Sequence, residues 1–168
     1  MSEHQPTSRG LQAVSIVRDL LVRMGAEMPF KEQQFSRGTL FLMTFDGPAT
    51  RGLAYVYTDV EQFSFMLVFN GRVPPEARSR VSEYLGRVNW ELMAGGFCLN
   101  FEDGAVAYKA SIDFANVGLA GPSVRNVILA GMENVEQYAQ GVVDVAEGKV
   151  NPRSAQLAAR TAGAASAK

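Results

Sequence analysis

The sequence predicts an α+β protein in which helices pack on a twisted antiparallel sheet of about five strands. Three observations support this fold class. Apolar residues recur at helical spacing in three segments, and between the first two of these segments they alternate with a period of two. The links between the alternating runs are short, whereas a parallel crossover needs about a dozen residues or more. The predicted element order is therefore α-βββ-α-ββ-α.

The composition is that of a globular protein. Of the 168 residues, 47% are apolar and 20% are charged, and the formal net charge is −1. This charge gives no polycationic face for nonspecific nucleic-acid binding, and no segment reaches the roughly 18 apolar residues of a membrane span. We therefore expect neither nucleic-acid binding nor membrane insertion. A single cysteine and a polar N-terminus without an apolar leader favour a cytoplasmic protein.

The first helix is predicted to begin at Leu11. Its apolar positions lie on one helix face: Val14, Val17, Leu20, Leu21 and Met24. Thr7 or Ser8 can cap its start and Gly25 suits its end, because helices favour a hydroxyl before the first turn and a glycine after the last. Residues 1–10 form a polar arm that we expect to be disordered.

Alternating runs at residues 40–45, 53–58 and 63–69 predict the first strands. Aromatic and β-branched residues that are separated by Gly, Pro and Asp are typical of strands joined by turns. The short links favour an antiparallel meander. Residues 30–35 can add a short edge strand.

A second helix is predicted to begin at residues 74–76, because proline is tolerated in the first turn of a helix. It ends at the glycine pair 95–96, and a hairpin follows with Asp103 and Gly104 in its turn. Trp90 lies near the end of this helix. We expect its indole to be partly buried at the junction of helix and hairpin.

The third helix is predicted over residues 122–147, and one of its stripes is the candidate surface for a dimer or a partner. The stripe repeats about every 3.5 residues: Val124, Ile128, Gly131, Val135, Tyr138 and Val142. Two interpretations stay open. Either the helix simply faces the core, or it covers its own sheet and also contacts a partner chain. A helical glycine such as Gly131 or Gly141 costs about 1 kcal/mol relative to alanine, which favours a close backbone approach.

The segment 151–168 is rich in alanine and lacks acidic residues. It has few large apolar side chains to bury, so we expect it to be mostly disordered. A single domain is therefore predicted over residues 11–150.

No catalytic, cofactor-binding or metal-binding residue can be assigned from the sequence. His4, the only histidine, lies in the polar arm, where no scaffold would orient it for proton transfer. Cys98 lies in a predicted aromatic strand, and apolar surroundings suppress the thiolate form. Residues 118–123 match neither glycine pattern of the nucleotide-binding loops. We predict a protein that is not an enzyme and has no cofactor.

The run VNWELMAGGFCLNFEDGAVAYKASIDF, at residues 88–114, resembles the middle of the YbjN family of sensory transduction regulators. In that family an Asn near the end of the second helix precedes a hairpin, as Asn89 does here. A long final helix with a Tyr and a closing Gly is also similar, here Tyr138 and Gly148. The resemblance covers residues 11–150. It implies the fold of type III secretion chaperones, usually dimeric, with no catalytic residues and no established ligand.

The sequence thus favours a binding protein. The first hypothesis is a non-enzymatic protein-binding module, chaperone-like or regulatory, that acts as a homodimer through apolar surface and binds an unidentified protein partner. The alternative is a small-molecule sensor with an apolar pocket between sheet and helices.

Overall fold

The computed structural model describes residues 5–25 and 28–166 of the chain. Its elements are α1 (Ser8–Met24), β1 (Phe30–Phe35), β2 (Gly38–Thr44), β3 (Ala49–Tyr57), β4 (Gln62–Phe69), α2 (Arg78–Asn89), β5 (Gly96–Leu99), β6 (Val106–Asp113), α3 (Gly121–Ala146) and α4 (Pro152–Ser166). A short 3₁₀ turn at Pro75–Ala77 leads into α2.

The strands form one antiparallel sheet in the order β1-β2-β3-β4-β6-β5. The predicted α+β class is confirmed. The sheet has six strands rather than about five, because residues 30–35 do form an edge strand. Gly104 lies in the turn between β5 and β6, where its φ of +75° suits glycine.

The helices pack on one face of the sheet. α1 lies against β2 and β3, α3 against β4 and β6, and α2 against β5. The largest fully buried side chains fill the space between these layers: Tyr84, Tyr108, Phe41, Phe63, Phe65 and Phe114. Within the described residues no helix is long and apolar enough to cross a membrane.

The end of the predicted polar arm is ordered in the structure. α1 begins at Ser8, and the Oγ1 atom of Thr7 accepts a hydrogen bond from Gly10 N at 2.9 Å, as expected of an N-cap. The prediction of disorder over residues 1–10 is therefore wrong from Thr7 onward. Residues 1–4 lie outside the described residues.

The C-terminal segment forms α4, which packs against both α2 and α3. The predicted disorder of residues 151–168 is therefore wrong for residues 152–166. Ala155 and Gln156 are buried in this contact, and Gln156 donates a hydrogen bond to Glu91 at the end of α2. Buried small and polar residues thus hold α4 against α2 and α3 without large apolar side chains.

Trp90 follows α2 with 90% of its surface exposed, so the prediction of a partly buried indole is wrong. The junction is made by the preceding residue. The side-chain amide of Asn89 donates to Phe97 O at 2.9 Å and accepts from Phe97 N at 2.7 Å. One residue along a helix turns by about 100°, which carries the indole away from the face that packs on β5.

Two glycines of α3 lie where its backbone comes close to other elements. A Cβ atom at Gly131 would lie 3.1 Å from ring atoms of Phe65 and Tyr108. One at Gly141 would overlap the hydroxyl of Tyr84. The predicted close approach is confirmed, and it lets α3 lie directly on the sheet and on α2.

Candidate binding surfaces

The residues predicted on α3 as a dimer or partner surface lie in the interior of the protomer. All six are buried, and the five that have side chains are at most 6% exposed: Val124, Ile128, Gly131, Val135, Tyr138 and Val142. The structure therefore places this stripe in the core. A partner that contacts α3 would use other positions, such as Val143, which is 45% exposed.

The sheet face opposite the helices carries a continuous apolar surface, which we call the open sheet face. Its apolar side chains are half-buried because their neighbours in the sheet cover them only in part: Phe35, Leu40, Leu42, Leu53, Tyr55, Tyr57, Met66 and Val68. Alternate residues of the same strands, such as Phe41, Val56 and Phe65, face the helices and are fully buried. The central strands are thus apolar on both faces, although helices cover only one.

One row of the open sheet face has a cation at each end. In register across the strands lie Lys31, Leu42, Leu53, Met66 and Lys109. Both lysines are exposed and have no ion pair within the described part of the chain. The row therefore offers an apolar centre between two positive charges.

Three aromatic rings and a guanidinium form a cluster at one end of the open sheet face. The ring of Phe35 meets those of Tyr55 and Tyr57 edge-on, with centroid distances of 5.9 and 5.5 Å. Arg37 lies 5.5 Å from the Tyr57 centroid, and its Nε donates to Asp59 Oδ2 at 2.8 Å. Burial would raise the pKa of Asp59, but hydrogen bonds from Arg37 and from backbone amides outweigh burial and lower it. The cluster holds these side chains in a fixed arrangement.

A cleft lies between the C-terminal half of α3 and the segment that joins β4 to the 3₁₀ turn. Its volume of about 640 Å³ falls within the range of ligand pockets. Its apolar lining includes Phe69, Val73, Val106, Ala139 and Val143, and its polar lining includes Asn70, Arg72, Gln140 and Glu147. A smaller hollow of about 230 Å³ shares two lining residues with it, Pro48 and Glu136. A small-molecule sensor would hold its ligand in this cleft.

Cys98 is exposed on the open sheet face rather than buried among apolar side chains. It pairs with Ala107 on β6, it is exposed, and its Sγ donates to Ala107 O at 3.4 Å. The expectation that apolar residues enclose Cys98 is wrong because side chains alternate along a strand, and Phe97 is the residue that points to the core. The described residues contain no cluster of three or more His, Cys, Asp or Glu side chains that could hold a metal ion. His4 lies outside those residues.

The buried tyrosines join elements of the core. Tyr84 Oη donates to Tyr138 O at 3.0 Å, and Tyr108 Oη donates to Ala94 O at 2.9 Å. Burial raises the pKa of all three tyrosines, because the core disfavours the phenolate form. The Tyr84 hydroxyl thereby links α2 to α3, and the Tyr108 hydroxyl links β6 to the α2–β5 connection.

Most of the chain matches one protein family. A model of YbjN, described as "Putative bacterial sensory transduction regulator", matches residues 15–143. The chain belongs to the YbjN family. The match confirms the resemblance seen at residues 88–114 and includes all the strands of the open sheet face, whereas α4 lies beyond it. No curated protein matches the sequence.

Solved structures of the same fold share little sequence with this YbjN family member. YbjN from E. coli, a putative transcription regulator, has a TM-score of 0.56 at 12% identity over 81% of this chain and 90% of that chain. A chain from the HopA1–SchA chaperone–effector complex has a TM-score of 0.56 at 12% identity, over 81% of this chain and 99% of its own. An uncharacterized protein from Methanothermobacter thermautotrophicus has a TM-score of 0.54 at 12% identity, over 82% and 98%. The predicted chaperone-like fold is confirmed.

The sequence itself carries a signal for the open sheet face. Residues 40–43, 53–57 and 65–69 are apolar at every position. A strand with one solvated face alternates polar and apolar residues, whereas a continuous apolar run is typical of a strand covered on both faces. The runs are therefore typical of strands covered on both faces, whereas the described helices pack on one.

Proposed function

We propose that this YbjN family member is a non-enzymatic regulator or chaperone that binds another protein through the open sheet face. The observation that carries the proposal is the sheet: β2, β3 and β4 are apolar on both faces, and the helices cover one. A contiguous exposed apolar patch on a protein is typical of an interface. Burial of this patch by a partner would contribute about 25 cal/mol for each Å² removed from water.

The comparisons support a protein as the partner class. One structural neighbour is a chaperone–effector complex, and the family description is that of a regulator. Both favour a non-catalytic role for this chain. We place this role in the reducing cytoplasm, where the exposed thiol of Cys98, the only cysteine of the sequence, stays reduced.

We further propose that the protein acts as a homodimer through the outward side of α3. The predicted stripe of this helix is used by the core, so the contact would be made by Val143 with the half-buried Met132 and Ala146. These residues continue the apolar surface of the cleft.

A photoreactive phenylalanine analogue at Tyr55 tests the partner site in cells that express the protein. We expect discrete crosslinked protein bands from this position, and we expect Leu53→Asp to remove them. The same analogue at Val22, which is 63% exposed on α1, is the control. Identical bands from both positions, or no band from Tyr55, would contradict the proposal.

A small-molecule sensor is the second candidate, and the cleft beside α3 favours it. The cleft combines about 640 Å³ of space with an apolar wall and the polar groups of Asn70 and Arg72. Native mass spectrometry of the purified protein should then detect a bound molecule. Ala146→Trp, which fills the cleft, should abolish that mass. Spectra with the chain alone would count against this function.

A further inference from the structure

We infer that the segment bound on the open sheet face is an amphipathic helix with carboxylates on both flanks of its apolar stripe. This inference rests on the proposed function and adds the chemistry of the partner. It is carried by the sign and the positions of the charges on the face.

The strand charges that point to the open sheet face are three cations and one anion, and the Arg37–Asp59 ion pair at one end of the face adds no net charge. The strand residues are Lys31, Arg51, Lys109 and, at the margin, Asp113. Asp113 already accepts a hydrogen bond from Ala115 N at 2.9 Å. The whole chain has a formal charge of −1, so this face is more positive than the chain as a whole. Electrostatic complementarity therefore favours carboxylates on the partner.

The positions of the lysines fit a helix that lies along β3. Lys31 on β1 and Lys109 on β6 are each two strands away from β3, which is about 9.6 Å on either side at the usual strand spacing. A helix with its side chains is about 10–12 Å wide. The flexible lysine side chains can therefore reach both flanks, while Leu53 and Tyr55 contact the apolar stripe.

The length of β3 and Arg51 specify the segment further. From Arg51 to Tyr57 the strand presents alternate residues to the open sheet face, over about 20 Å. A helix of about 13 residues covers this distance. Arg51 lies near the start of β3. Because the C-terminal end of a helix dipole is negative, we expect the bound helix to place its C-terminus next to Arg51.

A second copy of the chain fits this face poorly. Two open sheet faces stacked on each other would bring Lys31, Arg51 and Lys109 of both copies into one interface without opposing carboxylates in its centre. Like charges across an interface disfavour association. The open sheet face is therefore separate from the dimer contact proposed at α3.

Three synthetic helical peptides of about 14 residues test the inference. They share one leucine stripe and carry Glu, Gln or Lys on both flanks. Binding to the full chain is measured by fluorescence anisotropy at low and high salt. We expect the Glu peptide to bind most tightly and the Lys peptide most weakly. The advantage of Glu over Gln should shrink in high salt, which screens exposed charges.

Matched variants locate the effect on the protein. Lys31→Gln with Lys109→Gln should weaken binding of the Glu peptide about fivefold, as expected for two exposed ion pairs, and should leave the Gln peptide unchanged. Arg125→Gln with Arg153→Gln is the control, because both residues are exposed on the helices. Leu53→Asp should abolish binding of every peptide.

Met66→Gln is a milder variant of the same apolar row, in case the Leu53 variant does not fold. If the three peptides bind with equal affinity and both Leu53→Asp and Met66→Gln weaken that binding, the inference of an acidic helix is overturned and the proposed function stands. Absence of binding, or binding insensitive to both variants, would overturn both. Binding to phosphatidylglycerol vesicles that needs Lys31 and Lys109, without peptide binding, would assign a membrane surface and overturn the inference.

Discussion

At the scale of single residues, the packing of α3 depends on glycines, which have no side chain where the helix contacts its neighbours. Gly141→Ala is expected to lower the free energy of unfolding by about 1–3 kcal/mol, because the added Cβ would overlap the Tyr84 hydroxyl. Gly86→Ala on α2 is the matched control. A Cβ there meets nothing within 4 Å, so the better helix propensity of alanine should raise the free energy of unfolding by about 0.5–1 kcal/mol. Urea unfolding measures both, and a stabilising effect of Gly141→Ala would contradict the packing described.

The buried tyrosines predict how stability depends on pH. Burial raises the pKa of Tyr84, Tyr108 and Tyr138 in the folded state, so above the unfolded-state value of about 10 the unfolded chain releases protons that the folded chain keeps. The free energy of unfolding should therefore fall as pH rises above about 10. Tyr84→Phe should cost about 1 kcal/mol at pH 7 through its lost hydrogen bond.

The same variant should also make the alkaline loss shallower, by up to about 1.4 kcal/mol per pH unit. Urea unfolding at a series of pH values measures both effects. An unchanged slope in the Tyr84 variant would show that this hydroxyl does not contribute to the alkaline loss.

At the scale of elements, α4 shows how a helix forms from a segment with little to bury. Asn151 Oδ1 accepts a hydrogen bond from Ser154 N at 2.9 Å, and Pro152 follows as the first helical residue. Asn151→Ala should therefore destabilise α4 by about 0.5–2 kcal/mol. Hydrogen exchange should show faster exchange in residues 152–166 and little change in the sheet. Asn126→Ala, at an exposed position inside α3, is the control, and equal exchange in both variants would exclude a capping role.

The elements that could be predicted are those whose periodicity records burial against the sheet. The apolar steps of α1 and α3 each indicate one buried face, and the short apolar runs of β2 to β4, bounded by turn residues, indicate strands. α4 could not be predicted in this way, because its contact uses small residues such as Ala155 and hydrogen bonds. Trp90 is exposed because it lies about 100° further around the helix than Asn89, and the sequence does not show which of these two neighbours meets the hairpin. The burial of the α3 stripe agrees with a core-facing helix, so the periodicity alone could not show where a partner binds.

At the scale of the whole molecule, we expect the open sheet face and the outward side of α3 to bind different partners. The open sheet face is apolar and cationic, which suits an acidic helix and disfavours a second copy. The outward side of α3 is apolar around Val143 and borders the cleft. A dimer through α3 would leave both open sheet faces free, so each protomer could bind its own partner segment.

This arrangement predicts the mass in solution. Light scattering at micromolar concentration should give twice the chain mass of 18.2 kDa. Val143→Arg should reduce it to 18.2 kDa, because the charge would be buried in the contact without a partner. Val22→Arg, at a residue of α1 that is 63% exposed, is the control and should leave the dimer intact. Leu53→Asp should leave it intact as well. A wild-type protein of 18.2 kDa would exclude the dimer, and dissociation by Leu53→Asp alone would move the dimer contact to the open sheet face.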